Sequence, residues 1–167
     1  GVTISGNVNV TGSQTYGAGN LSLTNTGSIT MVDIVSVGTL ALSNSSGSGN
    51  ISLGNVNATG TATLSHGGNL VLQGQTYTFG GFSETSTNGS VVIGTGSIGT
   101  VSVEVTGSAA SISFNTPVLL LDSANLKGSG AVSNLSFAKT LRSTGAKNLD
   151  VNNVGGSVTF ADNVGDN

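Results

Sequence analysis

The chain contains no cysteine and no tryptophan, and only one proline, one histidine and one methionine. Without cysteine, disulfide staples and thiolate metal sites are excluded. Aromatic residues make up 4% of the sequence, too few for the ring-rich core of a hairpin-built sandwich. Charge is equally scarce, with 4 basic and 7 acidic residues. Residues 1–83 carry a single charged side chain, Asp33, and all four basic residues lie between 127 and 147. A phosphate backbone needs clustered Lys and Arg, so nucleic acid is excluded as a partner. The longest apolar run, Val118-Leu119-Leu120-Leu121, is far shorter than the ~20 residues of a membrane helix, which argues against membrane insertion. The sequence opens at Gly-Val-Thr with no basic-plus-apolar leader, which suggests a piece of a longer protein.

What is present is small and polar. The 27 Gly, 25 Ser, 21 Thr and 18 Asn account for more than half of the 167 residues. A hydrophobic share of 36% and a net charge of -3 are nevertheless unlike charge-rich disorder. The apolar residues fall in short alternating triplets, among them Leu40-Ala41-Leu42, Ile51-Ser52-Leu53, Leu70-Val71-Leu72 and Ile112-Ser113-Phe114. Period-two alternation marks strands, and the Gly, Asn, Ser and Thr between them are turn formers. Only residues 133–145 offer room for a short helix.

The triplets opening at Ile29, Leu40, Ile51 and Ala62 follow one another at a constant interval, and the other gaps are somewhat shorter or longer. A coil of about 20 residues would hold two such gaps. Stacked coils also account for the composition. Strands lie ~4.8 Å apart, so like charges repeated coil upon coil would repel, whereas Ser, Thr and Asn stack without penalty. The expected architecture is one all-β domain, residues 1–167: a parallel β-solenoid of about eight coils. The run Val118 to Leu121 is apolar on both strand faces, Pro117 can open a strand but not sit within a central one, and the basic residues follow, so a local irregularity is expected across 115–145.

Gln-Thr-Tyr occurs twice, ending at Tyr16 and Tyr77, the only tyrosines, each after a strand-like stretch. The interval between them matches three coils, so the two copies are expected at equivalent positions three coils apart. The run VNVTGSQTYGAGNLSLTNTGSITM, with GQTYTFGG, LRSTGAKNLDV and GGSVTFADNVGD, resembles the repeat region of large secreted bacterial exoproteins of the filamentous haemagglutinin type. That resemblance implies a right-handed parallel β-helix delivered to the outer surface by two-partner secretion. It implies a secreted or cell-surface location and a role as adhesin or adhesin shaft. The implied partners are the rest of a longer β-helical chain, an outer-membrane transporter during secretion, and a host-surface glycan or protein. The family's secretion signature, Asn-Pro-Asn, does not occur here, so the resemblance reaches the repeats and not the secretion domain.

Candidate chemistry is thin. His66 has no carboxylate near it in sequence and is expected on a turn. β-Helix polysaccharide lyases and glycoside hydrolases, the enzyme alternative, gather acids on adjacent coils. The expected coil period relates Glu84, Glu104 and Asp122, yet Glu104 alternates with Val101, Val103 and Val105 and so points outward. Asp33, Asp150, Asp162 and Asp166 are scattered. Calcium-binding Gly-Gly-x-Gly-x-Asp units and a phosphate loop are both missing. Asn-x-Ser/Thr occurs seven times, at Asn9, Asn20, Asn44, Asn50, Asn57, Asn88 and Asn134, about as chance would give in so Ser- and Thr-rich a chain. Thr-x-Thr pairs of the kind that line ice-binding faces occur at 24–26, 59–63, 76–78 and 85–87 but fit no single coil period. Tyr77, Phe79 and Phe82 concentrate in residues 76–84. Alternation places at least two of the three in the core; exposed together, they would form a contact for sugar or protein. No catalytic, cofactor-binding or metal-ligating residue is assigned, and no cofactor is expected.

Overall fold

The computed structural model describes residues 2–4, 6–44, 46–108, 110–129, 133–152 and 154–165. Every described regular element is a strand, and every pairing between strands is parallel. The chain is a β-solenoid of about seven turns. One sheet stacks eight strands in strict sequence order: Val2–Ile4, Leu21–Asn25, Leu40–Asn44, Thr61–Ser65, Gly81–Glu84, Ser111–Phe114, Asn134–Phe137 and Val158–Phe160. The second sheet begins with three long strands, Val8–Thr15, Ile29–Val37 and Ile51–Ala58, which turn a corner without breaking. From the next coil on, each long strand divides in two, as in Asn69–Leu72 with Thr76–Phe79 and Ser90–Ile93 with Thr100–Val105. Val118–Leu120 with Ser123–Gly128, and Leu141–Ser143 with Leu149–Asn152, continue the two columns.

Alternation decides which side chains are enclosed. Ile29, Met31 and Ile34 point inward and are buried, as are Leu40, Leu42, Ile51, Leu53, Val101 and Val103. Each stacks on its counterpart in the coil below, so the core is a set of ladders. In the first sheet Leu23, Leu42 and Leu64 form one such ladder. Aromatic rings form a second continuous stack through Tyr77, Phe79, Phe82, Phe114, Phe137 and Phe160, with centroids 5.1–6.2 Å apart. Offset ring pairs at such distances add to the burial of their area. Close stacking also explains a buried glycine at the corner. A Cβ on Gly54 would lie 1.2 Å from the Val32 carbonyl oxygen, so the strand bends there only with glycine.

The structure corrects four expectations. There are about seven turns and not eight, because coil length is not constant. Leu21 pairs with Leu40, whereas Phe82 pairs with Ile112, a step about half as long again. Residues 133–145 contain no helix in the described chain; Asn134–Phe137 and Leu141–Ser143 are strands in register with the coil before. The solenoid does not break across 115–145 where it is described, although residues 130–132 of that window lie outside the described residues. Val118 and Leu120 face the core while Leu119 and Leu121 are half-buried. The irregular coil is the one before, where residues 94–99 leave the sheet. Finally, the two Gln-Thr-Tyr copies do lie three coils apart in one column, but one pleat out of step. Register runs from Tyr77 to Val56, Ile34 and Gln14, so Gln14 holds the place of Tyr77, and Tyr16 lies two residues farther along. A register shift between Gln14 and Thr15 accompanies the difference.

Candidate functional site

The carboxylates of the described chain divide into two that are buried, Glu84 and Asp122, and several that are scattered outside. Glu84 is the most unusual. Its strand pairs with Thr61–Ser65 so that Glu84 lies on Leu64, in line with Leu42 and Leu23. A carboxylate thus occupies an inward, otherwise apolar ladder, and it is fully buried. Two residues after each member of that ladder stands a second inward position, and it is polar: Asn25, Asn44, His66, Ser86 and Thr116, all buried. Asn25 pairs with Asn44 directly. Their side chains bond the backbone of the turn that follows, as when the Gly27 N–H donates to Asn25 Oδ1 at 3.1 Å.

Glu84 is held from three coils. Oε1 accepts the Ser86 N–H at 2.6 Å, and Oε2 accepts the N–H groups of Asn115 at 2.8 Å and Thr116 at 2.9 Å with the Thr116 hydroxyl at 3.1 Å. From the coil below, His66 Nε2 approaches Oε1 at 3.3 Å. Burial alone would raise the carboxyl's pKa, but the His66 contact and these hydrogen bonds outweigh it and bring it down to about 2. His66 Nδ1 lies 2.7 Å from the Gly68 carbonyl oxygen, an acceptor, so Nδ1 carries a proton. Nε2 is buried and faces the Glu84 carboxylate at 3.3 Å. His66 is therefore not an idle turn residue, as expected from sequence, but is buried against Glu84 on the adjacent coil.

Asp122 is the second buried carboxylate. Residues 94–99 fold over it, and its oxygens accept the N–H groups of Thr95 at 2.9 Å, Gly96 at 2.8 Å, Ile98 at 3.3 Å and Gly99 at 3.2 Å. Gly94, Gly96 and Gly99 have φ near +90°, the region that lets successive N–H groups converge on one anion. Burial acts to raise the Asp122 pKa, and the four backbone donors prevail and lower it. Every donor comes from the protein itself, so the loop is closed by its own carboxylate.

The acid stack expected from sequence does not form. Glu84 lies inside the first sheet, Glu104 points out of the second sheet toward Lys127 at 4.0 Å, and Asp122 sits in its loop. Asp150 and Asp162 are exposed at separate places, and Asp166 lies outside the described residues. No group of three or more His, Cys, Asp or Glu side chains gathers at a metal-binding distance among the described residues. No helix there is long and apolar enough to cross a membrane.

A cleft of about 410 Å³ lies outside the corner of the second sheet between Asp33, Val35, Asn57 and Thr78. Asp33 Oδ1 accepts the N–H and the amide of Asn55 at 2.9 and 3.0 Å, and Asn55 Oδ1 in turn accepts the N–H groups of Gln75 and Thr76. These bonds tie three coils at the bend. Tyr77, Phe79 and Phe82 are all buried, so none of the three lines a surface. Tyr77 donates to the Leu53 carbonyl and accepts from the Gly74 N–H, both at 2.7 Å. Burial holds its phenol above the ordinary range, against the Gly74 bond and with a smaller push from the charge of Asp33.

What the arrangement defines is a class, a parallel β-solenoid with internal charge clamps. Comparison with family models, with curated proteins and with solved structures returns no match.

Proposed function

We propose that the chain is a non-catalytic shaft segment of a secreted bacterial surface exoprotein of the filamentous haemagglutinin type, one that contributes to attachment by carrying a binding element away from the cell. The observation that supports this reading most is the burial of Tyr77, Phe79 and Phe82 inside an uninterrupted stack. The ring cluster that could have met a glycan is part of the core instead. An outer-membrane transporter as secretion partner and a location on the cell surface or beyond follow from the same family resemblance.

A polysaccharide lyase or glycoside hydrolase fragment is the second reading, and the cleft at Asp33 is the feature in its favour. A paired-acid mechanism needs a second carboxyl group within roughly 5–10 Å, and Asp33 is the one acid that lines the cleft. Attachment of the purified chain to host cells and to a panel of glycans tests the shaft reading. A shaft gives no saturable retention. Saturable retention that is lost in Asp33→Asn would make the segment a binding tip.

A further inference from the structure

The chain holds a single Asn-Gly step, Asn88-Gly89, in the turn that joins Gly81–Glu84 to Ser90–Ile93. Both residues are exposed. Gly89 precedes Ser90 as Gly68 precedes Asn69, so it stands on Gly68 of the coil below. Its φ is +78°, and a Cβ there would lie 1.5 Å from the Gly68 carbonyl oxygen. The stack therefore requires glycine at 89. Backbone pairing differs between the two coils. The Gly68 N–H donates to the Gly49 carbonyl at 2.9 Å, whereas neither the Gly89 N–H nor the Asn88 side chain bonds to any described residue.

We infer that Asn88-Gly89 is a self-modifying site, at which the chain converts its own asparagine to isoaspartate. The Gly89 nitrogen attacks Asn88 Cγ, and the new C–N bond closes a succinimide ring. The Cγ–Nδ2 bond breaks, and Nδ2 leaves as ammonia with the proton of the Gly89 nitrogen. Water then opens the ring. Where it cleaves the bond from that nitrogen to the Asn88 main-chain carbonyl carbon, the backbone runs on through Cβ and Cγ, and the former main-chain carbonyl becomes a free carboxylate. The balance is one amide and one water consumed, one carboxylate and one ammonia produced.

Three features select this asparagine. Ring closure brings the next residue's nitrogen onto Cγ, and a Cβ on that residue hinders the approach; glycine has none. The Gly89 N–H is also spared from the ladder, so no bond must break before the attack. Other asparagines are held. Oδ1 of Asn20, Asn50 and Asn134 accepts the N–H of Thr39, Asn69 and Ser157 at 2.7–2.9 Å, and a Leu or Ile follows each. Asn25 and Asn44 are buried. Because packing on Gly68 demands glycine at 89, the fold itself keeps the reactive neighbour in place. The product puts a carboxylate and one extra main-chain atom just before Ser90–Ile93, a strand held in register with Asn69–Leu72. The inference concerns this turn alone and does not depend on the adhesin reading.

Ageing of the folded full chain in mildly alkaline buffer, read by peptide mass mapping, tests it. Alkali favours the step because the attacking nitrogen must give up its proton. Asn88 converts about tenfold or more faster than any other asparagine. Ammonia appears in step, and a methyltransferase specific for isoaspartate labels the product. Hydrogen exchange at Ser90 and Val91 accelerates in the aged chain. Asn88→Gln, whose extra methylene disfavours ring closure, keeps the unfolding midpoint of wild type and loses both the isoaspartate label and the change in exchange. A folded chain that stays intact at Asn88 while the chain unfolded in denaturant converts overturns the proposal, because the turn then withholds the nitrogen. Conversion that begins at another asparagine overturns it as well, and so does a product that is aspartate alone.

Discussion

Glu84 stands directly on Leu64, one coil apart in the inward ladder of the first sheet, and it is the one member of that ladder with a charge. Its neighbours in the parallel polar ladder, Ser86 and Thr116, and His66 from the coil below, supply bonds that an aliphatic residue at this place would not need. The carboxylate reaches the backbone of Asn115 and Thr116, at the end of the lengthened coil that joins Phe82 to Ile112. It thus fastens the longest coil to the ones beneath it.

Glu84→Gln removes the charge and leaves His66 facing an amide. Hydrogen bonds to a charged group are worth about 1.5–3 kcal/mol, and the amide weakens those from Ser86, Asn115 and Thr116. The expected loss in chemical denaturation is in that range. His66→Asn, which extends the Asn25–Asn44 ladder, should cost less. In the double variant the two losses should fall short of their sum by at least about 1 kcal/mol, the sign of direct coupling. Additive losses would mean that the contact between His66 Nε2 and Glu84 Oε1 carries no energy.

Acid should loosen the fold before it unfolds. A carboxyl whose pKa is about 2 in the folded chain, against an ordinary value near 4.5, contributes stability that is fully present above the unfolded value and is lost as pH falls toward 2. Asp122 is shifted in the same direction and adds to the same slope. Melting temperature is expected to be flat from neutral pH to about 5 and to fall between about 5 and 2. In Glu84→Gln the slope should be shallower. An identical acid slope in the two proteins would assign the effect elsewhere.

Asp122→Ala should open residues 94–99 while the strands around them persist. Four backbone N–H groups lose their acceptor. Unsatisfied donors cost about 1–3 kcal/mol each when they remain buried, so the loop is expected to turn them to water. Hydrogen exchange at Thr95, Gly96, Ile98 and Gly99 should accelerate strongly, with Val101 and Val103 protected as before. Unchanged exchange in the loop would contradict the cradle.

Tyr77→Phe keeps the ring ladder and deletes one hydroxyl. The Leu53 carbonyl and the Gly74 N–H then lack their partner inside the corner. The expected cost is about 1–3 kcal/mol in the unfolding free energy. Gln14, which holds the matching place three coils away, is half-buried, and Gln14→Ala should cost well under about 1 kcal/mol.

Much of this fold was legible in the alternation of apolar residues. Leu40 with Leu42 and Ile51 with Leu53 face inward as their period-two spacing requires. Composition also indicated stacking, because charge-free strands suit a repeat that sets each side chain on its like. Coil length was not legible. A constant period carries Glu84 to Glu104, but the coil lengthens there, and the residue above Glu84 is Phe114. The buried pair left a trace that could have been found: Leu23-x-Asn25, Leu42-x-Asn44, Leu64-x-His66, Glu84-x-Ser86 and Phe114-x-Thr116 share one pattern. Aligning these pairs places His66 beside Glu84 without any fixed period. The loop at 94–99 left only its glycines, which a chain with 27 of them conceals.

In the proposed shaft both buried carboxylates are clamps, and the cleft at Asp33 performs no chemistry. Release of soluble products from a panel of acidic and neutral polysaccharides, with and without calcium, tests this most directly. No release above a heat-denatured control is expected for wild type, Glu84→Gln, Glu104→Gln or Asp33→Asn. Turnover by wild type that is abolished in one of these variants, with folding intact, would contradict it and make that residue part of a lyase or hydrolase site.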